Sequence, residues 1–165
     1  MEQFAIPAVG GIILKSIDNV EYILLQERCK SEAPDEIGLL EIPGGKIRAF
    51  KNIFDALKRE ILEETGLEVI KILGENKTSV YDYDNYQVVS FMPFSCSQNI
   101  KGNYPIMEFV FICYVKGCLL EHSGEAKNYK WIPTCQIEMM LNENLQRIYP
   151  MDLDALKKYI STLGK

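Results

Sequence analysis

Short apolar runs alternate with polar breaks along this chain, except for one stretch of helical spacing between Ile53 and Thr65. Ala5–Lys15 (AIPAVGGIILK) and Glu21–Gln26 (EYILLQ) are dense in aliphatic residues and are separated by Ser16-Ile17-Asp18-Asn19, which predicts a strand hairpin. Glu27–Glu36 (ERCKSEAPDE) is too charged for a core and predicts an exposed loop; Gly38–Ile42 then runs into the break Pro43-Gly44-Gly45. From Ile53 the period changes. Ile53, Phe54, Leu57 and Ile61 fall on one helical stripe, Asn52 is placed to cap its start and Gly66 to end it. Val69–Leu73, Lys77–Tyr83, Val88–Phe94 and Met107–Val115 read as strands, being rich in β-branched and aromatic residues, and Tyr129–Ile132 as a short further strand. Pro133 opens a small helix near Gln136–Leu141. Asp152–Leu163 repeats Leu153, Leu156, Tyr159, Ile160 and Leu163 at helical spacing, with Asp152 as its cap. Strands with a central helix and a late helix predict an α/β sandwich, and a length of 165 residues predicts one domain, 1–165.

The central helix carries charges that local physics opposes. At about 100° per residue, Glu60, Glu63 and Glu64 share one face, with Glu64 inside the apolar stripe and Glu60 at its edge. Carboxylates three and four residues apart repel, and near a helix C-terminus they also oppose the macrodipole. Either this is a solvated face, or a cation gathers the three. A hard divalent ion such as Mg²⁺, which takes carboxylate oxygens, suits the second reading.

Composition narrows the setting. Hydrophobic residues are 47% of the chain and charged residues 25%, enough for a substantial core. A net charge of −5 argues against a nucleic-acid polymer surface, which is normally basic, though not against a small polyphosphate met by a metal and local cations. No apolar run approaches the roughly 20 residues of a membrane span, and no basic region precedes the N-terminal apolar run as in a secretion signal. Cys29, Cys96, Cys113, Cys118 and Cys135 are scattered, and the lone His122 completes no zinc pattern with them. Free thiols and a cytoplasmic location are expected.

Gly45, Arg59, Glu60, Ile61, Glu63, Glu64, Gly66 and Leu67 stand in GGKIRAFKNIFDALKREILEETGL at a spacing that resembles the Nudix box, here residues 45–67. One fixed position departs: Lys51 stands where the family has its first glutamate. The resemblance implies the Nudix fold, a mixed β-sheet sandwiched between α-helices. It implies a diphosphatase that uses Mg²⁺, or Mn²⁺ in its place, on a nucleoside diphosphate linked to another moiety: an NTP, a dinucleotide polyphosphate or a nucleotide sugar. Carried over residue by residue, Glu60 and Glu64 would be the principal metal ligands, and Glu63 a further ligand or the holder of a metal-bound water. The Gly45 carbonyl would complete the shell, and Arg59 would orient a glutamate. Glu125, shortly before Trp131, resembles a glutamate that in some Nudix enzymes binds metal or acts as base; it reads equally as a loop residue.

Lys51 leaves two outcomes: contact with a substrate phosphate, together with the nearby Arg48, or a degenerate box in a nucleotide-binding module without turnover. Tyr83, with Tyr81 and Tyr86, offers a face for stacking on a base, or else fills a half-buried sheet position. Tyr83 also resembles a tyrosine of dinucleoside-polyphosphate hydrolases. The expected partner is a small nucleotide-type diphosphate, with no nucleic-acid polymer and no membrane; a homodimer through the sheet or the late helix is left open.

Overall fold

A computed structural model describes residues 2–124 and 126–164. In chain order it contains β1 (Ile6–Ile17), β2 (Val20–Arg28), β3 (Leu40–Glu41), β4 (Gly44–Lys46), α1 (Ile53–Thr65), β5 (Glu68–Ile72), β6 (Ser79–Tyr83) and β7 (Tyr86–Ser90). These are followed by β8 (Ser95–Gln98), β9 (Ile106–Lys116), β10 (Ala126–Pro133), α2 (Thr134–Glu143) and α3 (Leu153–Leu163). The main sheet runs β10-β2-β1-β9-β5, with β3 on β2, β4 on β1 and β8 on β9. β1 and β9 are parallel and the other pairs antiparallel, so the sheet is mixed.

Alternation along β1 explains the layers. Val9 and Ile13 pack with Phe54, Leu57 and Ile61 of α1, while Ile12 and Leu14 pack with Ile137, Leu141 and Leu156 of α2 and α3. The result is the α/β sandwich that the residue pattern predicts, in the α/β/α form that the resemblance implies. No helix among the described residues is long and apolar enough to cross a membrane.

The ends of α1 are set locally. Asn52 Oδ1 accepts the Phe54 N–H at 2.9 Å, and Gly66, at φ 78°, turns the chain out while its N–H donates to the Leu62 carbonyl. Between β1 and β2, Asp18 and Asn19 take φ of 50° and 64°, the two left-handed residues of a tight hairpin turn.

One edge of β1 is shared. Leu14–Ile17 pairs with β2, Ala8–Gly10 pairs with β4, and between them Gly11 N–H donates to the Pro43 carbonyl at 2.9 Å. β4 can approach so closely because a Cβ on Gly44 would collide with the Val9 carbonyl. A cleft opens along this part of the fold.

The structure departs from the residue pattern in several places. Lys77 lies in a 3₁₀ turn before β6, and the strand expected to reach Phe94 stops at Ser90. β6 and β7 form a separate two-stranded hairpin off the main sheet. β8, in a polar stretch to which the residue pattern assigns no element, is a strand because its backbone pairs with β9. Asp152 makes no capping bond to α3: its Oδ2 accepts the Ile42 N–H at 2.8 Å, a buried partner 110 residues away.

Candidate active site

A cleft of about 590 Å³ joins the Nudix-box segment to residues from four distant parts of the chain. One wall is the loop–helix unit: Gly44, Gly45, Lys46, Arg48, Arg59, Glu60 and Glu63. Arg59 holds this wall together. Its guanidinium donates to Glu60 Oε1 at 2.5 Å, to Glu63 Oε2 at 2.8 Å and to the Lys46 carbonyl at 3.3 Å. The Glu60 carboxylate sits where a Cβ on Gly45 would be, so glycine at that position makes the seat for it.

Glu64 behaves differently. It is buried, and its Oε2 accepts from Gln26 Nε2 at 2.8 Å and from Gly44 N–H at 3.0 Å. Burial, reinforced by the charge of Glu41, pushes its carboxyl up to about 8. The three glutamates thus share a helical arc but not one destination. Glu60 and Glu63 face the cleft, and Glu64 turns beneath the β4 segment. Among the described residues no three His, Cys, Asp or Glu side chains are gathered as a ready metal cage. The donor chemistry still fits a hard divalent ion: Glu60 and Glu63 present carboxylate oxygens beside a glycine backbone, with Arg59 as their present counter-charge.

The rest of the cleft includes Arg28, Glu41, Tyr104, Glu108, Tyr149 and Asp152. Arg28 is paired with Glu36 at 2.6 Å and with Glu41, and its guanidinium lies 3.9 Å from the centre of the Tyr149 ring. Glu41 also accepts from Gln26 Nε2 at 3.3 Å. An Arg28–Glu41–Gln26–Glu64–Gly44 chain of contacts therefore links the two parts of the cleft. Glu108 and Asp152 are hydrogen-bonded to each other; burial raises both acids, Glu108 to about 7 and Asp152 well above the usual range.

Of the residues expected at the site, Gly45, Arg48, Arg59, Glu60 and Glu63 line the cleft, and Glu64 backs it. Lys51 is exposed and outside the cleft wall, where its backbone N–H closes a turn onto the Arg48 carbonyl. Tyr83 is 75% exposed on the β6–β7 hairpin, also outside the wall, with Tyr81 and Tyr86 similarly exposed. Glu125 lies outside the described residues. The sequence reading missed Arg28, Glu41, Glu108, Tyr149 and Asp152. For Glu108 a signal existed: it is the one carboxylate in the apolar run MEFVFI, on the same strand face as Val110 and Ile112.

The NUDIX domain profile matches residues 6–151, which contain the whole of this cleft's β4–α1 wall. The chain belongs to the NUDIX family. Among curated proteins, the 8-oxo-dGTP diphosphatase of Buchnera aphidicola subsp. Acyrthosiphon pisum (strain APS) is 59% identical over 32 residues, 19% of this chain. That match spans only 26% of the relative's length. The MutT NUDIX hydrolase from Burkholderia pseudomallei superposes with a TM-score of 0.64 at 19% identity, over 94% of this chain and 98% of that one. The NUDIX domain of Shewanella oneidensis NrtR, solved with ADP ribose, gives a TM-score of 0.67 at 14% identity, over 98% and 90% of the two chains. At these identities the shared feature is the NUDIX fold.

Proposed function

We propose that this NUDIX chain is a Mg²⁺-dependent diphosphatase acting on a nucleoside diphosphate linked to another moiety. The observation that supports it most is the wall in which Glu60 and Glu63 face the cleft beside Gly45, with Arg59 bridging them and Lys46 and Arg48 alongside. Lys46 and Arg48 attract the diphosphate. Glu60 and Glu63 would hold the ion, and Arg59 fixes their orientation. Glu64 supports them from behind by accepting the Gly44 N–H, which pins the backbone that carries Gly45. The chemistry Mg²⁺ supplies in such a site is charge neutralisation on the phosphates and a more acidic attacking water. A glutamate of the same set would serve as the base in such a site. Lys51 and Tyr83 would meet only a part of the substrate that extends beyond the cleft. The 8-oxo-dGTP and ADP ribose attached to the relatives both belong to the proposed substrate class.

The second reading is a module that binds a nucleotide without turnover. Lys51 in the box and the engagement of one oxygen each of Glu60 and Glu63 by Arg59 favour it. Incubation with Mg²⁺ or Mn²⁺ and a panel of NTPs, 8-oxo-dGTP, ADP-ribose, dinucleoside polyphosphates and sugar nucleotides separates the two. The hydrolase reading expects product from at least one of them and none after chelation. Tight binding of one with turnover of none would replace it with the module.

A further inference from the structure

We propose that the outer face of the β6–β7 hairpin is a docking surface for a second copy of this chain, two chains packing these faces together about a two-fold axis. No residue of the hairpin lines the cleft, so the surface stands apart from hydrolysis.

Eight strands join the main sheet, whereas β6 and β7 pair only with each other. Their register fixes what each side of the hairpin carries. Residues opposite one another in an antiparallel pair project to the same side, and successive residues alternate. Tyr81 stands opposite Val88 and Tyr83 opposite Tyr86, so these four share one face, with Ser79 and Ser90 at its base. Val80, Asp82, Gln87 and Val89 take the other face. Val89 packs against the core beneath α1, which turns that second face inward and the tyrosine face out. A two-stranded hairpin alone is marginally stable in water and needs a packed face or a third strand. Here every strand residue except Val89 is exposed.

The outer face suits a copy of itself. None of its six residues carries a charge, in a chain of net charge −5, so face meets face without like-charge repulsion, and a charged partner would find nothing on it to pair with. Tyr81, Tyr83 and Tyr86 are 61%, 75% and 72% exposed and Val88 50%. At about 150–250 Å² for each tyrosine, the three rings leave roughly 300–500 Å² uncovered. Two such faces come to roughly 600–1,000 Å² before Val88 and the rim are added, which reaches the smaller interfaces, those below about 1,200 Å². The association is therefore a reversible one. Tyrosine fits that use, since its hydroxyl tip stays hydrated while the ring is covered and uncovered.

The test is sedimentation velocity of the full, metal-free chain from about 1 μM to about 1 mM, a range that covers weak and moderate affinities. The mass should rise from that of one chain toward that of two. Tyr81→Lys and Val88→Lys bring like charges together near the axis and should each weaken association by at least about 10-fold, about 1.4 kcal/mol. Both side chains are exposed, so the variants should fold, with urea midpoints equal to the wild type as the check. Met139→Lys, at an exposed position on α2, should leave association unchanged. Amide exchange locates the contact: amides of residues 79–90 should exchange more slowly as concentration rises. A chain that stays monomeric over the whole range overturns the proposal, as does a dimer that survives both hairpin variants or is lost in Met139→Lys. Slowing of residues 79–90 that depends on added ATP and not on protein concentration would give the face to a nucleotide and overturn it as well.

Discussion

Two groups of acids line one cleft and are stabilised in opposite ways. Glu60 and Glu63 belong to a single helix, remain in contact with solvent and are neutralised by Arg59, a neighbour in the same sequence run. Glu108 and Asp152 come from β9 and the turn before α3, lie deep in the fold and are accommodated by a hydrogen bond to each other and by Gly10. The first group is open to the cleft and bridged by a guanidinium. The second is raised toward its protonated form by burial. Their difference shows how one cavity holds carboxyl groups in two unlike states without any change in residue type: surroundings, not carboxyl chemistry, set the state.

Arg28 stands between the two and gives the largest expected effect. Arg28→Ala leaves Glu41 buried without its cation, so unfolding in urea should show a loss of about 3–5 kcal/mol, the usual result of breaking one partner of a buried pair. A loss near zero would mean that Glu41 is protonated and that the network linking the walls carries no charge. Gly45→Ala puts a methyl group against the Glu60 carboxylate and should displace it. We expect hydrolysis to fall by about 10-fold or more, toward the roughly 100-fold that a 1 Å misplacement can cause, with little change in the urea midpoint. Wild-type rates would show that Glu60 does not need that seat.

The buried acids should appear in the pH dependence of stability. Glu108 and Glu64 bind protons more tightly folded than unfolded, so their contribution is complete below about pH 4.5 and is lost as pH rises toward about 7 and 8. The urea midpoint of the metal-free chain should therefore decline between pH 5 and pH 8, and Asp152→Asn should flatten the decline. A midpoint that rises over this interval would contradict the account of burial. The smallest effect is expected at Lys51. It is exposed and outside the wall, so Lys51→Glu, which restores the family residue, should change stability by less than about 0.5 kcal/mol and leave kcat within a few-fold. A large rise in kcat would place Lys51 in the reaction after all.

The same contrast explains what the sequence made legible. α1, its Asn52 cap and its Gly66 stop follow from spacing and local hydrogen bonding, and they appear at the expected residues. The β1–β2 hairpin is similarly local. Long-range partners were not legible. Asp152 has the position and chemistry of an N-cap, but the Ile42 N–H, buried and unsatisfied by its own strand, takes it instead. The strand β8 has the polar composition of a loop and becomes a strand because β9 offers it an edge. Glu64 fell within the apolar stripe, which correctly marks it as inward-facing; that it would leave Glu60 and Glu63 for Gln26 and Gly44 depends on β2 and β4. Lys51 drew attention as the departure from the box. The backbone instead places Phe50 at φ 60° and turns the loop so that Lys51 faces solvent.

The central claim is that Glu60 and Glu63 hold the ion that makes this cleft hydrolytic. The most direct measurement is the rate of nucleotide release as a function of Mg²⁺ concentration for the wild-type chain, Glu60→Gln and Glu63→Gln, on whichever substrate of the panel turns over. The account predicts Mg²⁺-dependent turnover by the wild type and a loss of at least about 100-fold in Glu60→Gln, beyond the 10–100-fold seen for residues one shell removed from a metal, with the fold intact. Turnover that ignores Mg²⁺, or wild-type rates in both variants, would contradict it.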